Sequence, residues 1–483
     1  MEQGNPLRTM REPALDARGG DGPATDDADE PDNPCDKVVD AIGMRSWQWL
    51  LVFLMGVLIA ADSAEATLLA YLNVCVGHAF GLSTFKAASV VAVVFAGEIA
   101  GAIIAGAVSD EYGRKGVSLV CCAAVAVFGF ASAFAPNFST FVLLRFFVGV
   151  GLGSGAVPYD LLAEMIPAAS RGRALIWVGV GWAVGTLYTT GMAWLILPRA
   201  SWRMLAVVCA LPTALIFPVL AYALDESPRW LLEAGRTLDA VAVFRRLADK
   251  SGAGGDAKVD AAIRAIAADA DAPPPKEHPF GVVACKRLAA VLAQWRLSLR
   301  VWVIWFSLGA VYYGSTLTIA RTFDKNDDDD DVRCRFRYDV IFSIFTASLV
   351  GKAIAIQLID VVGRVRMICA ACLAYVAFFL PIAVGVDSFT GRYISLYGVL
   401  AGAVVAGSCA WVQIPELYRT EIRSTAHTLA YIVSRFGASF AAYVVEGGLS
   451  ISTAACILIA AAVAAGATTS TLHETSGMRL DSK

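Results

Sequence analysis

Twelve long apolar segments run through the 483-residue chain and constrain its fold more than any other feature. A helix needs about 20 mostly apolar residues to cross the ~30 Å hydrocarbon layer of a bilayer. The segments of this kind are 47–71, 87–109, 117–136, 139–159, 174–197, 203–224, 301–320, 340–359, 367–386, 393–414, 424–446 and 450–470. With 57% hydrophobic and 17% charged residues, the composition also departs from that of soluble proteins toward burial in lipid. The sequence therefore predicts an all-α membrane protein with twelve transmembrane helices.

Polar stretches divide these segments into two groups of six. Residues 1–45 are rich in Asp, Gly, Pro and Arg, a composition that predicts a disordered cytoplasmic tail. Residues 46–226 and 300–471 are predicted to form the two six-helix bundles. Between them, residues 227–299 predict a cytoplasmic central loop with short helices, and residues 472–483 form a second cytoplasmic tail.

Basic residues indicate the orientation of the chain in the membrane. The central loop and the loops after the second, fourth, eighth and tenth segments are rich in Lys and Arg, which favours placing them and both termini in the cytoplasm. The loop after the seventh segment opposes this orientation, because Arg333, Arg335 and Arg337 would lie outside. We favour cytoplasmic termini, and both a plasma membrane and an internal vesicle membrane fit the sequence.

Two short signatures recur in the second half of the chain. The loop after the second segment matches the loop after the eighth, 250 residues later. The loop after the fourth matches the loop after the tenth, 252 residues later. The residues concerned are Gly106, Asp110, Gly113, Arg114, Lys115, Glu164 and Arg171 in the first half, and Asp360, Gly363, Arg364, Glu416 and Arg423 in the second. Two matches at nearly one offset predict duplicated, pseudo-symmetric bundles.

These loop signatures resemble those of the major facilitator superfamily. The run at 225–230 is similar to the end of the sixth helix in sugar and organic-ion transporters, and the run at 415–423 is similar to the signature after the tenth, with Arg419 where the family has proline. The run at 473–477 resembles the family's closing motif. The resemblance implies two six-helix bundles that open a central site to each side of the membrane in turn. It also implies that the loop signatures latch the cytoplasmic end when the site faces outward and break when it faces inward.

Within the superfamily, the chain is most similar to the synaptic-vesicle-related transporters and their nicotinate- and organic-ion-transporting relatives. The residues that carry this similarity include Asp62 and Glu65 in the first segment, Trp182 in the fifth, and Trp305 and Tyr313 in the seventh. The similarity implies a coupling role for the arginine of the fourth segment, and it gives the arginine of the eleventh segment a family counterpart.

Six ionisable residues lie inside the apolar segments, where a charge is costly unless it is paired or hydrated. They are Asp62, Glu65, Glu98, Arg145, Lys352 and Arg435. Asp62 and Glu65 project from one helix face, and two carboxylates so close resist ionising together. We therefore expect this pair to carry a proton or to attract a cationic substrate. Glu98 is either a second proton carrier or an ion-pair partner. The three basic residues together suit an organic anion; alternatively, Arg145 forms a fixed interhelical ion pair and Lys352 snorkels to an interface.

Aromatic residues in the segments are a further set of candidates. Trp182, Tyr313 and Trp411 could stack on a flat or cationic substrate, or they could serve only as packing or interface residues.

The sequence predicts a proton-coupled secondary transporter of a small organic ion, such as nicotinate, another aromatic acid or an organic cation, acting as a monomer. A sugar-type porter and a non-transporting receptor on the same fold remain alternatives. The sequence contains no P-loop, nucleophile–base arrangement or metal-ligand spacing, so we expect neither an enzyme nor a cofactor or metal. The net charge of −3 gives no reason to expect a nucleic-acid partner. Cys75 and Cys334 could be bridged if their loops share one side of the membrane.

Overall fold

The computed structural model of the protein describes residues 34–268, 280–323, 336–418 and 420–475. Helices make up most of this part of the chain. In order they are α1 (Pro34–Ile42), α2 (Ser46–Ala79), α3 (Thr84–Tyr112), α4 (Arg114–Ser132), α5 (Phe138–Leu152), α6 (Ala156–Ala163), α7 (Ala168–Ile196), α8 (Trp202–Ala223), α9 (Pro228–Glu233), α10 (Thr237–Lys250), α11 (Ala257–Ala268), α12 (Phe280–Ala293), α13 (Trp295–Thr322), α14 (Tyr338–Phe345), α15 (Ala347–Val362), α16 (Arg364–Ala383), α17 (Phe389–Leu417), α18 (Thr420–Glu446) and α19 (Ile451–Thr469).

Twelve spans in the described residues are long and apolar enough to cross a membrane. Most are single helices, whereas α5 with α6 and α14 with α15 each form one interrupted span. The short helices α9–α12 lie in the connection between the sixth and seventh spans, where the sequence predicts a loop with short helices. The prediction of an all-α protein with twelve transmembrane helices is confirmed.

The apolar contacts between the two bundles are concentrated at one end of the described part of the chain. We call the end that carries α1, α9–α12 and residues 473–475 the tail side, and the opposite end the far side. On the far side, a single cluster of buried apolar residues includes members of both bundles. Rings also touch across the bundles there, with centroids 5.2 Å apart for Tyr71 and Phe336 and 5.0 Å apart for Phe85 and Tyr443.

The tail-side halves of the bundles have separate cores. One described cluster lies around Met55 and Val178 and contains only residues of the first bundle. Another lies around Trp305 and Ile414 and contains only residues of the second. Among the described residues, the apolar packing that joins the two bundles therefore lies on the far side.

Glycine allows helix backbones to approach closely at equivalent places in the two bundles. A Cβ atom on Gly185 of α7 would lie 1.9 Å from the carbonyl oxygen of Ala60 in α2. A Cβ atom on Gly437 of α18 would lie 2.0 Å from the carbonyl oxygen of Phe306 in α13. Small residues stabilise helix pairs in lipid through such close contact, since apolar burial contributes little there. These pairs position the helices that carry the midplane residues.

The predicted disordered tail is wrong for its last part, because Pro34–Ile42 forms α1. Its apolar residues Cys35, Val38, Val39 and Ile42 recur on one helix face and pack against α10 and α11. Burial raises the pKa of the Cys35 thiol to about 12, so this thiol stays protonated in the apolar cluster. Residues 1–33 lie outside the described residues.

Cys75, near the far-side end of α2, is in a disulfide bond. The predicted partner, Cys334, lies outside the described residues, so a bridge between these two remains a prediction.

We predict that Gly185→Ala destabilises the folded protein, because the new methyl group overlaps the backbone of α2. Overpacking of this kind costs about 1–3 kcal/mol. The matched control is Gly407→Ala in α17, where a Cβ atom would meet nothing within 4 Å. Thermal unfolding of the purified protein in detergent measures both variants. An unchanged melting temperature for Gly185→Ala would contradict the close α2–α7 contact.

Candidate functional site

Glu65 and Arg145 form a buried ion pair inside the first bundle. Arg145 Nη1 on α5 lies 2.7 Å from Glu65 Oε2 on α2, and the two residues are 0% and 1% exposed. The guanidinium also lies over the ring of Phe141, with 5.6 Å to its centroid. Breaking a buried pair by removing one partner costs about 3–5 kcal/mol, because an uncompensated charge is left behind. The structure therefore gives Glu65 an ion-pair partner within its own bundle.

A second ion pair crosses from one bundle to the other. Arg435 Nε on α18 lies 2.6 Å from Glu98 Oε2 on α3. Two hydroxyl groups complete the arrangement, since Arg435 donates to Tyr431 Oη at 2.8 Å and also to Tyr313 Oη. Tyr431 in turn donates to Glu98 Oε2 at 3.1 Å. Glu98 is 1% exposed and Arg435 6% exposed, so the pair lies out of water between the bundles.

Asp62 and Lys352 are the two predicted residues that have no such counter-ion. Neither side chain makes a hydrogen bond or an ion pair with any residue that the structure describes, and both are half-buried. Lys352 extends from α15 to the other bundle, where its Nζ would lie 3.5 Å from a Cβ atom on Gly179 of α7. Gly179 is two residues from Gly181, which packs on Gly56 of α2, and Gly56 precedes Asp62 by six residues. The Nζ of Lys352 therefore lies roughly 10 Å nearer the tail side than Asp62.

Aromatic and imidazole rings form a cluster in the second bundle, beside the crossing ion pair. The ring centroid of Trp411 lies 5.3 Å from that of Trp305, 4.6 Å from that of His427 and 6.3 Å from that of Tyr431. Trp411 is 42% exposed even with these neighbours. The buried Nε1 of Trp305 and Nε2 of His427 have no hydrogen-bond partner among the described residues. The cluster therefore offers flat apolar faces and two unused polar atoms.

The other two predicted aromatic residues connect the bundles. Trp182 Nε1 on α7 donates to Tyr312 Oη on α13 at 2.5 Å. The ring of Tyr313 packs edge-on against Phe95 of α3, with centroids 4.7 Å apart. These contacts, together with the Glu98–Arg435 pair, close the space between the bundles toward the far side.

Sequence reasoning missed His427, Tyr431 and Trp305 as members of this site. A signal was present, because His427, Tyr431 and Arg435 are spaced by four residues and therefore share one face of α18. The pairing of Arg435 with Glu98 was not predicted, since these residues belong to different halves of the chain.

The loop signature of the first half forms a polar network on the tail side. Arg114 contacts the carboxylate of Glu164, which also accepts a hydrogen bond from Ser227 Oγ at 2.5 Å. The carboxylate of Glu226 accepts from the backbone N–H groups of Arg114 at 2.7 Å and Lys115 at 3.1 Å, at the N-terminus of α4. A carboxylate is favoured at this end of a helix by the free N–H groups and the helix dipole.

The second half repeats this network residue by residue. Arg364 Nη2 lies 3.1 Å from Glu416 Oε1, and Thr475 Oγ1 donates to the same carboxylate. The carboxylate of Glu474 accepts from the backbone N–H groups of Arg364 at 2.7 Å and Val365 at 3.2 Å. Gly113 (φ +96°) and Gly363 (φ +97°) leave room for these two carboxylates, because a Cβ atom on either glycine would overlap them.

The ion pairs Arg114–Glu164 and Arg364–Glu416 each lie within one bundle. The role of the loop signatures as a gate that forms and breaks between conformations remains a prediction.

The other residues of the loop signatures make contacts close to these two networks or within their own helices. Arg364 also pairs with Asp360 at 3.1 Å, and Arg171 pairs with Asp36 of α1 at 2.8 Å. Gly106 accepts a hydrogen bond from Ser109 within α3, and Arg423 lies half-buried in the first turn of α18. The side chain of Asp110 lies outside the described part of the chain.

Comparison with known proteins identifies the family. The model of the family "Sugar (and other) transporter" matches residues 38–482. The organic cation/carnitine transporter 7 of Arabidopsis thaliana is 28% identical, over 83% of this chain and 86% of its own length. The synaptic vesicle 2-related protein of Xenopus laevis is 27% identical, over 87% of this chain and 77% of its own length.

Solved structures agree on the fold. The inward-open xylose transporter of E. coli matches with a TM-score of 0.67 and 18% identity, over 90% of this chain and 98% of that one. The twelve spans, the two networked bundles and the matched family model lead to one conclusion: the chain belongs to the sugar (and other) transporter family of the major facilitator superfamily.

Proposed function

We propose that the protein carries a small organic anion with a flat ring, such as nicotinate or another aromatic acid, across its membrane by alternating access. The observation that carries this proposal is the ammonium group of Lys352, which extends from α15 to α7 of the other bundle and has no ion-pair partner among the described residues. A cation in a membrane span is expensive unless it has a partner, and an anionic substrate would provide one.

The distribution of charge supports an anion. Four of the six ionisable residues inside the membrane spans already form the pairs Glu65–Arg145 and Glu98–Arg435. Lys352 remains as a cation without a carboxylate partner among the described residues. The aromatic cluster around Trp411 gives a flat ring a surface to pack on, and the free polar atoms of Trp305 and His427 can bond a ring nitrogen or a water molecule.

Proton coupling would arise from the midplane carboxylates. Asp62 and Glu98 lie within electrostatic range of each other, and the one cation near both is Arg435 among the described residues. Two acids that share one cation in a medium of low dielectric favour binding a proton on one of them.

An organic cation is the second candidate, and Asp62 favours it. This carboxylate has no ion-pair partner among the described residues and could hold a positively charged group. The name of the Arabidopsis relative also includes organic cations. Uptake of labelled nicotinate and labelled tetraethylammonium into proteoliposomes, with and without an inward proton gradient, distinguishes the two. We expect the gradient to drive accumulation of nicotinate; accumulation of tetraethylammonium alone would contradict an anionic substrate.

We predict that Lys352→Ala reduces nicotinate uptake at least about tenfold, because the carboxylate loses its unpaired cation. Lys286→Ala is the matched control, since Lys286 is exposed on α12 away from the cavity. Initial rates in proteoliposomes, normalised to correctly folded protein, provide the comparison. Equal rates for the two variants would remove Lys352 from the substrate path.

A further inference from the structure

Helix α12 leaves apolar side chains exposed just before the seventh span begins. Leu288 and Leu292 of α12, and Trp295 and Leu299 in the first turns of α13, are between 39% and 59% exposed. Each pair is four residues apart and therefore shares one face of its helix. We call these four residues the apolar row. Leu288 and Leu292 lie outside the twelve spans, so the hydrocarbon core of the bilayer does not by itself explain their exposure.

A buried joint fixes α12 to the second bundle. The helix is interrupted at Gln294 (φ −90°, ψ +36°), between α12 and α13. Ser298 Oγ donates to the carbonyl oxygen of Val291 at 2.9 Å, and Tyr418 Oη donates to Ser298 Oγ at 3.2 Å. Val291 is fully buried in the apolar cluster of the second bundle. One side of α12 is therefore occupied by protein, and the apolar row is left for another partner.

The apolar row continues into a surface that faces lipid. Val303 lies one turn beyond Leu299 on α13, inside the seventh span, and is 36% exposed. Trp295 lies at the start of that span, and tryptophan is enriched at the level of the lipid headgroups. Since the row and the exposed side of the span are continuous, the partner that covers both is the membrane.

The segment that carries the apolar row is strongly basic. Residues 280–300 contain no acidic residue and four basic ones, namely Lys286, Arg287, Arg296 and Arg300. Arg296 is next to Trp295 and lies over its ring, with 5.6 Å from Cζ to the ring centroid. Arg300 is next to Leu299 and donates to the carbonyl oxygen of Thr471 at 3.4 Å. Neither guanidinium forms an ion pair with a carboxylate that the structure describes, so their charge is available to an anion at the level of the apolar row.

We propose that Arg296 and Arg300 bind the headgroup of an anionic phospholipid in the tail-side leaflet, while the apolar row enters the boundary between headgroups and acyl chains. Arginine suits a lipid phosphate, because its planar group keeps its charge and donates several hydrogen bonds. A zwitterionic lipid also has a phosphate, but only an anionic lipid has the net negative charge that this segment lacks. The bound lipid would hold the start of the seventh span at the membrane surface. This proposal does not depend on the identity of the transported solute.

Spin labels test whether the apolar row enters the membrane. Lys286 provides a control on the same helix, because it is roughly 160° from Leu288 and roughly 120° from Leu292 around the helix axis. Leu292→Cys and Lys286→Cys are labelled separately in the full chain in nanodiscs, with the exposed Cys285 and Cys456 replaced. We expect oxygen, which dissolves in lipid, to relax the label at position 292, and a water-soluble nickel chelate to relax the label at position 286. Equal access of the nickel chelate to both labels would place α12 in water and overturn the proposal.

Lipid binding by the purified protein in detergent tests the choice of headgroup. Phosphatidylglycerol and phosphatidylcholine are titrated separately, and the bound lipid is counted by native mass spectrometry. We expect phosphatidylglycerol to bind at least about tenfold more tightly, because each basic residue near the surface adds attraction to an anionic lipid. High salt should reduce this difference, since it screens exposed charges. Equal binding of the two lipids at low salt would contradict an anionic partner.

Variants then assign the preference to the two arginines. Arg296→Ala combined with Arg300→Ala should abolish the preference for phosphatidylglycerol, whereas Arg296→Lys combined with Arg300→Lys should keep most of it. Lys286→Ala, on the other side of α12, should leave the preference unchanged. Binding of phosphatidylcholine shows that each variant is folded. A double alanine variant that still prefers phosphatidylglycerol by the wild-type factor would refute the assignment to Arg296 and Arg300.

Discussion

The ion pair between Glu98 and Arg435 is the contact on which the arrangement of the two bundles depends. Both side chains are buried, and each neutralises the charge of the other, which would be costly if it stood alone in the middle of a membrane protein. Around the pair, Tyr313, Tyr431 and Phe95 fill the space between α3, α13 and α18. The other described contacts between the bundles include the Trp182–Tyr312 hydrogen bond and the apolar packing on the far side. Among these contacts the pair is the charged one, so a change in its charge would affect how the bundles separate.

The two tail-side networks have a different role. Arg114, Glu164 and Glu226 hold together helix ends of the first bundle, and their counterparts do the same in the second. Because these contacts lie within one bundle each, we expect each bundle to move as a rigid body, with the change between states concentrated at the interface between the bundles.

Most of the architecture could be predicted from the sequence, because the length of an apolar segment is set directly by the thickness of the bilayer. The duplicated loop signatures predicted the repeated bundles. The run that contains Glu474 and Thr475 resembles the family's closing motif and indicated where the second bundle ends. The helix α1 was missed, since its four apolar residues form a short pattern inside a polar tail. The partner of Arg435 could not be predicted, because sequence position does not indicate which side chains meet across two separately folded bundles. Tyr431 and Glu98 are in contact although 333 residues separate them.

The most direct test is whether the tail-side ends of the bundles approach each other when substrate and protons bind. Spin labels at Tyr112 and Val361, both exposed at the tail-side ends of their helices, would report this distance by double electron–electron resonance spectroscopy. The exposed Cys285 and Cys456 are replaced beforehand so that they are not labelled. We predict a shorter distance when nicotinate and protons are added together. A distribution that stays the same with both present would contradict movement of the bundles about the Glu98–Arg435 contact.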